Sequence, residues 1–342
     1  MIASRPRLWT SDFVLLSLSG LLLVVSQGML LAALPLYAVS CLGASPAQIG
    51  MLPGMVSIAA LIARPAAGYA VDRWGRRWIH IVFLFLVAGF IFGHSLVASF
   101  VALLLNRLAY GLFYGVANTA TSTIVTDLVP AERRGEGIGY FGMTQTLGLA
   151  IGPALALPLL AGGNYPRLFA FGGGLSLAAA ILAVWVRHPV VGRVQAHFHL
   201  SSLFERRAAW IGAIVFGSTF GVGSILSFIT LYATQAGIER SGLFYTVQAA
   251  GTVLTRLWSG PLYDRYGPRW LVGAGMAIQA VGFLLLALWR APVGFFAAAF
   301  ATGVGLSIAF PALQAMAVGG VAASRRGAAN ATFLMGQDLR GH

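Results

Sequence analysis

Gly68-Tyr-Ala-Val-Asp72-Arg73-Trp-Gly75-Arg76-Arg77 and Gly260-Pro-Leu-Tyr-Asp264-Arg265-Tyr-Gly267-Pro268-Arg269 are two versions of one pattern, 192 residues apart. The same step carries Arg64 to Arg256, Gly111 to Gly303 and Arg134-Gly135 to Arg326-Gly327. A register kept over about 70 residues predicts a chain built of two parallel halves. Each half reads as a six-helix bundle, the first over 1–189, a linker over 190–207, and the second, incomplete, over 208–342.

Apolar runs on either side of the two loops lie near 13–39, 49–71, 78–97, 100–128, 138–161, 168–186, 209–235, 243–263, 270–289 and 293–318. Each approaches the roughly 20 residues needed to cross a bilayer core as a helix. An eleventh run starts after Arg326. No stretch alternates as barrel strands do. The expected fold is therefore an all-α membrane protein with ten complete transmembrane helices and a partial eleventh. Composition agrees: 58% of residues are hydrophobic and 9% charged, against about 25% charged in soluble domains, and the mean hydropathy is +0.83.

The chain has 22 basic residues, all arginine, and 9 acidic ones. Fifteen of the arginines fall in alternate connections: Arg5, Arg7, Arg73, Arg76, Arg77, Arg133, Arg134, Arg187, Arg193, Arg206, Arg207, Arg265, Arg269, Arg325 and Arg326. The intervening connections hold Arg167, Arg240 and Arg290. By the positive-inside rule the rich side, with the N-terminus, is cytoplasmic, and the expected location is a bacterial inner membrane crossed many times. The clusters form no continuous basic face, so nucleic acid is not an expected partner. Cys41 stands alone, so no intrachain disulfide forms. No metal-spaced His/Cys set, cofactor motif or nucleophile–base pair is present, and an enzyme is not expected.

The segment Gly68…Asp72-Arg73…Gly75-Arg76-Arg77 resembles the signature loop of the major facilitator superfamily. Arg107…Gly111 resembles that family's second motif. Gly148-x-x-x-Gly152-Pro153 is similar to the antiporter motif of its drug:proton antiporter and sugar-efflux branch, with Leu155, Ala156 and Leu157 in place of the trailing glycines. The resemblance implies a conformational lock of Gly68, Asp72, Arg73, Gly75, Arg76, Arg77, Asp127, Asp264 and Arg265. In it Asp72 faces the positive N-terminal end of helix 11 near Gly327, and Arg76 pairs with Asp127. Such a pair contributes about 0–1 kcal/mol if solvated. Pro268 and Gly319 replace Arg76 and Asp127 in the second half, so one lock is expected, in the first half.

The resemblance also implies a part for Arg107 in proton coupling. A charge at the bilayer centre costs on the order of 2.5–3.5 kcal/mol, so Arg107 should face the protein interior. Arg107, Gly111, Tyr114, Asn118 and Thr121 share one helical face, expected to line a central cavity. Arg64 and Arg256 read as anchors between helices, with substrate contact as the other role. A proton carrier wants a buried carboxylate; Asp338, about 16 Å along helix 11 from Gly327, is the best-placed acid. Gln27, Tyr114, Asn118, Gln145, Phe228, Tyr232, Gln248 and Gln314 are the candidate cavity side chains, and the aromatic ones suit an amphipathic or aromatic solute. Ser224 is a further neutral polar candidate on helix 7.

These readings lead to a monomeric secondary transporter in the lipid bilayer whose partners are a small-molecule substrate and protons. Efflux of a drug or metabolite by proton antiport comes first, and proton-coupled uptake of a sugar or metabolite second. A third expectation comes from the register itself: Gln145-Thr-Leu-Gly148 is matched by Gln337-Asp338-Leu339-Arg340, after which about 45 residues of a second half are missing. That predicts a truncated product, with an inactive remnant as its consequence.

Overall fold

The computed structural model describes residues 7–160, 163–187, 204–238 and 243–338. Arg5, Arg193, Arg240, Arg340 and most of the expected linker lie outside the described residues, as do the side chains of Phe228 and Asp264. Eleven α-helices follow one another among the described residues: α1 (Ser11–Leu42), α2 (Pro46–Trp74), α3 (Arg76–Gly93), α4 (Phe100–Leu128), α5 (Arg134–Leu160), α6 (Tyr165–Trp185), α7 (Arg206–Gln235), α8 (Leu243–Tyr266), α9 (Pro268–Leu288), α10 (Pro292–Val318) and α11 (Arg326–Asp338). Eight of them, α1 to α6, α9 and α10, are long and apolar enough to cross a membrane. The expected count of ten also includes α7 and α8. α8 carries Gln248, Thr252, Thr255 and Arg256 along its length, which dilutes its hydropathy.

Local chemistry marks the helix ends. Thr10, Ser45 and Ser99 accept hydrogen bonds from Phe13 N, Gln48 N and Ala102 N at the starts of α1, α2 and α4, and Gln48 completes a capping box by accepting from Ser45 N. Gly75 and Gly267 join α2 to α3 and α8 to α9 in single-residue turns with φ of 97° and 80°. Side chains with a Cβ avoid that region, which is why both copies of the loop keep glycine there.

The 192-residue step also relates packing contacts. Gly111 on α4 seats on the backbone of Val56 on α2, and Gly303 on α10 seats on that of Gln248 on α8. Gly20 of α1 meets Phe141 of α5, and Gly212 of α7 faces Phe333 of α11. Lipid gives no hydrophobic drive for helix association, so small residues that admit close approach carry the packing. Polar side chains add hydrogen bonds: Ser26 Oγ donates to Gly172 O at 2.7 Å, and Ser218 Oγ donates to Gln279 Oε1 at 2.7 Å.

Within the first half α1 packs on α5 and α6, α2 on α4, and α3 on α4 and α6; within the second, α10 packs on α8 and α9, and α7 on α11. The halves meet through α2 with α11 and α5 with α8. Large apolar side chains such as Leu31, Ile62, Val101, Leu105 and Leu284 stay exposed on the outer helix faces, as lipid requires. Trp9, Trp74, Trp78, Trp185, Trp210 and Trp270 are all exposed. All six stand where α1, α2, α3, α6, α7 and α9 reach the arginine-rich connections, a one-sided aromatic belt at interface height.

Candidate functional site at the seam between the halves

The first N–H groups of a helix have no intrahelical acceptor and carry its partial positive charge. At the start of α11 they are taken by Asp72, in the last turn of α2: Gly327 N donates to Oδ1 and Ala328 N to Oδ2, each at 2.9 Å. The approach depends on Gly68, one turn earlier. A Cβ there would lie 2.7 Å from Ala331 Cβ and 2.9 Å from Ala328 Cα. Gly327 answers it, since its own Cβ would lie 2.6 Å from Gly68 O. Two glycines thus bring the backbones of opposite halves into contact.

Asp127, at the end of α4, gathers the arginines beside this contact. Arg76 Nε donates to its Oδ2 at 3.0 Å and Arg326 Nη1 to its Oδ1 at 2.7 Å. Arg76 also lies 3.4 Å from Asp72 Oδ1 and donates to Val71 O and to Ala323 O. The carboxylate side chain is 2% exposed, and its two cations come from the two halves. By contrast Arg73 and Arg77 point outward, over the rings of Tyr69 and Trp78 at 5.9 Å each. Of the expected lock residues, then, Gly68, Asp72, Arg76 and Asp127 assemble at the seam, Gly75 makes the turn, and Arg73 and Arg77 stand apart because α2 and α3 turn them to the surface. In the second loop Arg265 is exposed over Tyr266 at 5.3 Å; Asp264 belongs to the side chains outside the described residues.

Deeper in the bundle, Arg64 on α2 grips Asp338 on α11 with two bonds, Nε to Oδ2 at 2.5 Å and Nη2 to Oδ1 at 3.0 Å. Arg64 Nη1 donates to Asn118 Oδ1 at 3.3 Å and to Thr119 Oγ1 at 3.5 Å. The side chains are 4% and 16% exposed. Arg256, the repeat partner of Arg64, sets its guanidinium against Gly142 of α5 so closely that no Cβ fits there. Neither the Arg64–Asp338 pairing nor the share of Arg326 in Asp127 is readable from spacing, because the partners stand 274 and 199 residues apart. The repeat is the signal that points there, since it makes Arg326 the counterpart of Arg134 and sets α11 against α2 as α5 is set against α8.

The expected cavity face of α4 is corrected at Gly111 and Thr121. Helical spacing does align Arg107, Gly111, Tyr114, Asn118 and Thr121, but Gly111 is seated on α2 and Thr121 is buried, donating to Ala117 O. Arg107 is 5% exposed. Its Nε and Nη1 lack hydrogen-bond partners, and its Cζ lies 4.9 Å over the Tyr110 ring. It sits in the first-half bundle, and α2 covers the stripe at Gly111. Tyr232 donates to Leu286 O at 2.6 Å and Gln248 to Thr302 Oγ1 at 3.2 Å, so both bridge helices of the second half. Ser224 donates to Phe220 O of its own helix. Gln27, Tyr114, Asn118, Gln145 and Gln314 are half-buried. Gly148, Gly152 and Pro153 form a close seam with Val24, Val25 and Gly28 of α1.

The profile of the Major Facilitator Superfamily matches residues 16–255 and 239–339. The uncharacterized MFS-type transporter YhhS of Escherichia coli (strain K12) is 27% identical over 326 residues, covering 91% of this chain and 78% of that protein. The uncharacterized MFS-type transporter MJ1560 of Methanocaldococcus jannaschii (strain ATCC 43067) is 23% identical over 322 residues, covering 91% and 83%. Among solved structures, FucP in the outward conformation superposes with a TM-score of 0.80 at 16% identity, over 98% of this chain and 90% of that one. The human organic anion transporter MFSD10 does so at 0.75 and 18% identity, over 97% and 91%. Both share the fold.

Proposed function

The chain belongs to the Major Facilitator Superfamily, and from that premise we propose that this transporter exports a small organic solute, a drug or metabolite, in exchange for protons. The two halves, divided at the 190–207 linker, rock about a midplane site and expose it to each side in turn. The arginine-rich end is cytoplasmic, the membrane is a bacterial inner membrane, and the working unit is a monomer. One observation carries the alternating-access reading: Asp72 holds the N-terminus of α11 while Asp127 holds one arginine from each half. Those bonds exist when the arginine-rich end is shut and must break when it opens. Hydrogen bonds to charged groups contribute about 1.5–3 kcal/mol each, a scale matched by the roughly 2.3 kcal/mol that one charge gains from 100 mV. A latch of this size holds one state without preventing the other. The conformation of FucP named above is outward as well.

The antiport sense rests on the α5 stretch Gly148-x-x-x-Gly152-Pro153 and its similarity to the efflux branch. The test uses everted vesicles containing the full chain, energised to an acid interior, with a panel of amphipathic aromatic dyes as probes. Antiport predicts dye accumulation that collapses with a protonophore. Dye release on acidification would reverse the direction to symport. Counterflow indifferent to protonophore would remove proton coupling altogether.

A further inference from the structure

Glu239 lies outside the described residues, and of the other eight acidic residues seven, Asp12, Asp72, Asp127, Glu132, Glu136, Glu205 and Asp264, stand at helix ends or in connections. The eighth, Asp338, lies 11 residues along α11 from Gly327, about 16 Å deep at 1.5 Å per residue. Among the described residues it is therefore the carboxylate at hydrocarbon depth, and its partner belongs to the other half.

We propose that Asp338 carries the coupled proton and that Arg64 is its positioning residue, making the pair a proton-operated gate between α2 and α11. This rests on the proton-coupling reading above and names the side chain that performs it. While Asp338 is ionised, the two-pronged grip of Arg64 ties the halves together. A proton from water in the cleft forms an O–H bond on one carboxylate oxygen. The acid is then neutral, the charge-assisted grip is lost, and α11 is free to part from α2. Arg64 stays with its own half, held by Asn118 and Thr119 of α4. Release of the proton to water at the arginine-rich end restores the carboxylate, and re-forming the pair closes that end again. By linkage, proton binding favours the parted halves as strongly as parting favours proton binding.

The surroundings leave Arg64 as the charge in contact with Asp338. The elements packed on α11 are α2, α4, α7, α10 and the short turn Ala323–Arg325 at its start, whose Arg325 is bound to Glu205. On α2 the other titratable groups, Tyr69, Asp72 and Arg73, stand toward the arginine-rich end, with Asp72 eight residues from Arg64, about 12 Å along the helix. α4 offers Arg107, Tyr110, Tyr114 and Asp127, of which Tyr114 lies one turn from Asn118 and Asp127 is held by Arg76 and Arg326. α7 offers Arg206 and Arg207 at its start and Tyr232 bonded to Leu286 O, and α10 has none. Arg340 lies outside the described residues. The repeat supplies an internal control: the position matching Asp338 in α5 is Thr146, so the α5–α8 seam has no carboxylate to titrate at the corresponding place.

The experiment needs no transported solute. In the full chain with Cys41→Ser, Thr123→Cys places a thiol on a buried position of α4 beside Asn330 of α11. A membrane-impermeant maleimide is then applied from the arginine-rich side of everted vesicles. Each rate is divided by that of the detergent-denatured protein at the same pH, which removes the thiolate's own titration, and the parent's relative labelling should rise as pH is lowered. Asp338→Asn, which mimics the protonated acid, should label about tenfold faster than the parent in alkaline buffer and lose its pH dependence. Asp338→Glu keeps a titratable group and should retain pH dependence with a displaced midpoint, which covers failure of the asparagine variant to fold. Persisting pH dependence in Asp338→Asn, or its absence in Asp338→Glu with the parent responsive, would overturn the assignment of Asp338 alone. A parent whose labelling ignores pH, and whose dye accumulation ignores protonophore, would sink the proton-coupling reading with it.

Discussion

The α2–α11 and α5–α8 seams are copies of one arrangement, yet they are held by different chemistry. In the first, two glycines bring the backbones together and two carboxylates, Asp72 and Asp338, bind across to the opposite half. In the second, an arginine guanidinium lies on a glycine of α5, and threonine and proline replace Asp338 and Arg76 at the matching positions. Repetition supplies the backbone geometry, and substitution within the repeat then places a carboxylate, Asp338, in one seam where the other has Thr146.

The comparison breaks most severely at Asp127. Asp127→Ala takes from buried Arg76 and half-buried Arg326 the carboxylate they share, and losing one partner of a buried pair costs about 3–5 kcal/mol. It should abolish the shut state, seen as rapid labelling of Thr123→Cys at every pH. Arg76→Ala or Arg326→Ala alone should cost less than half as much, because the other arginine remains. Gly68→Val comes next: its Cβ would collide with α11, and overpacking costs about 1–3 kcal/mol. It should expose the same thiol while leaving the pH midpoint of what closure survives unchanged. Thr146→Asp sharpens the contrast by giving α5 the acid that α11 has. It should tighten the α5–α8 seam by about 1 kcal/mol, or roughly fivefold in labelling rate. Arg77→Gln should matter least, below about 0.5 kcal/mol in detergent stability, since this side chain lies over Trp78 at the surface.

The helical membrane fold is legible in the sequence because lipid imposes long apolar runs and the loop motif is local. The site is legible only in part. Asp72 and Gly68 sit inside the motif, so the residues that meet α11 can be named from ten consecutive letters. Arg64 and Asp338 belong to no motif. Their partnership depends on how two bundles dock, which no periodicity encodes. The stripe from Arg107 to Thr121 is misread at Gly111 and Thr121 for a related reason. Helical spacing says which residues share a face, but at Gly111 a neighbouring helix, not a cavity, covers that face. Tyr232 and Gln248 follow the same logic, because a polar group in a membrane helix finds a carbonyl or hydroxyl on the next helix before it finds a solute.

The one-sided tryptophan belt has an optical consequence. Six of the eight indoles gather where helices reach the arginine-rich connections, so the intrinsic emission of this protein comes mostly from a single leaflet. Brominated lipid confined to that leaflet should quench most of the signal, and the same lipid opposite should quench little beyond Trp289. The molecule thus carries its own asymmetric dye, able to report which way it inserted into a liposome before any transport is measured.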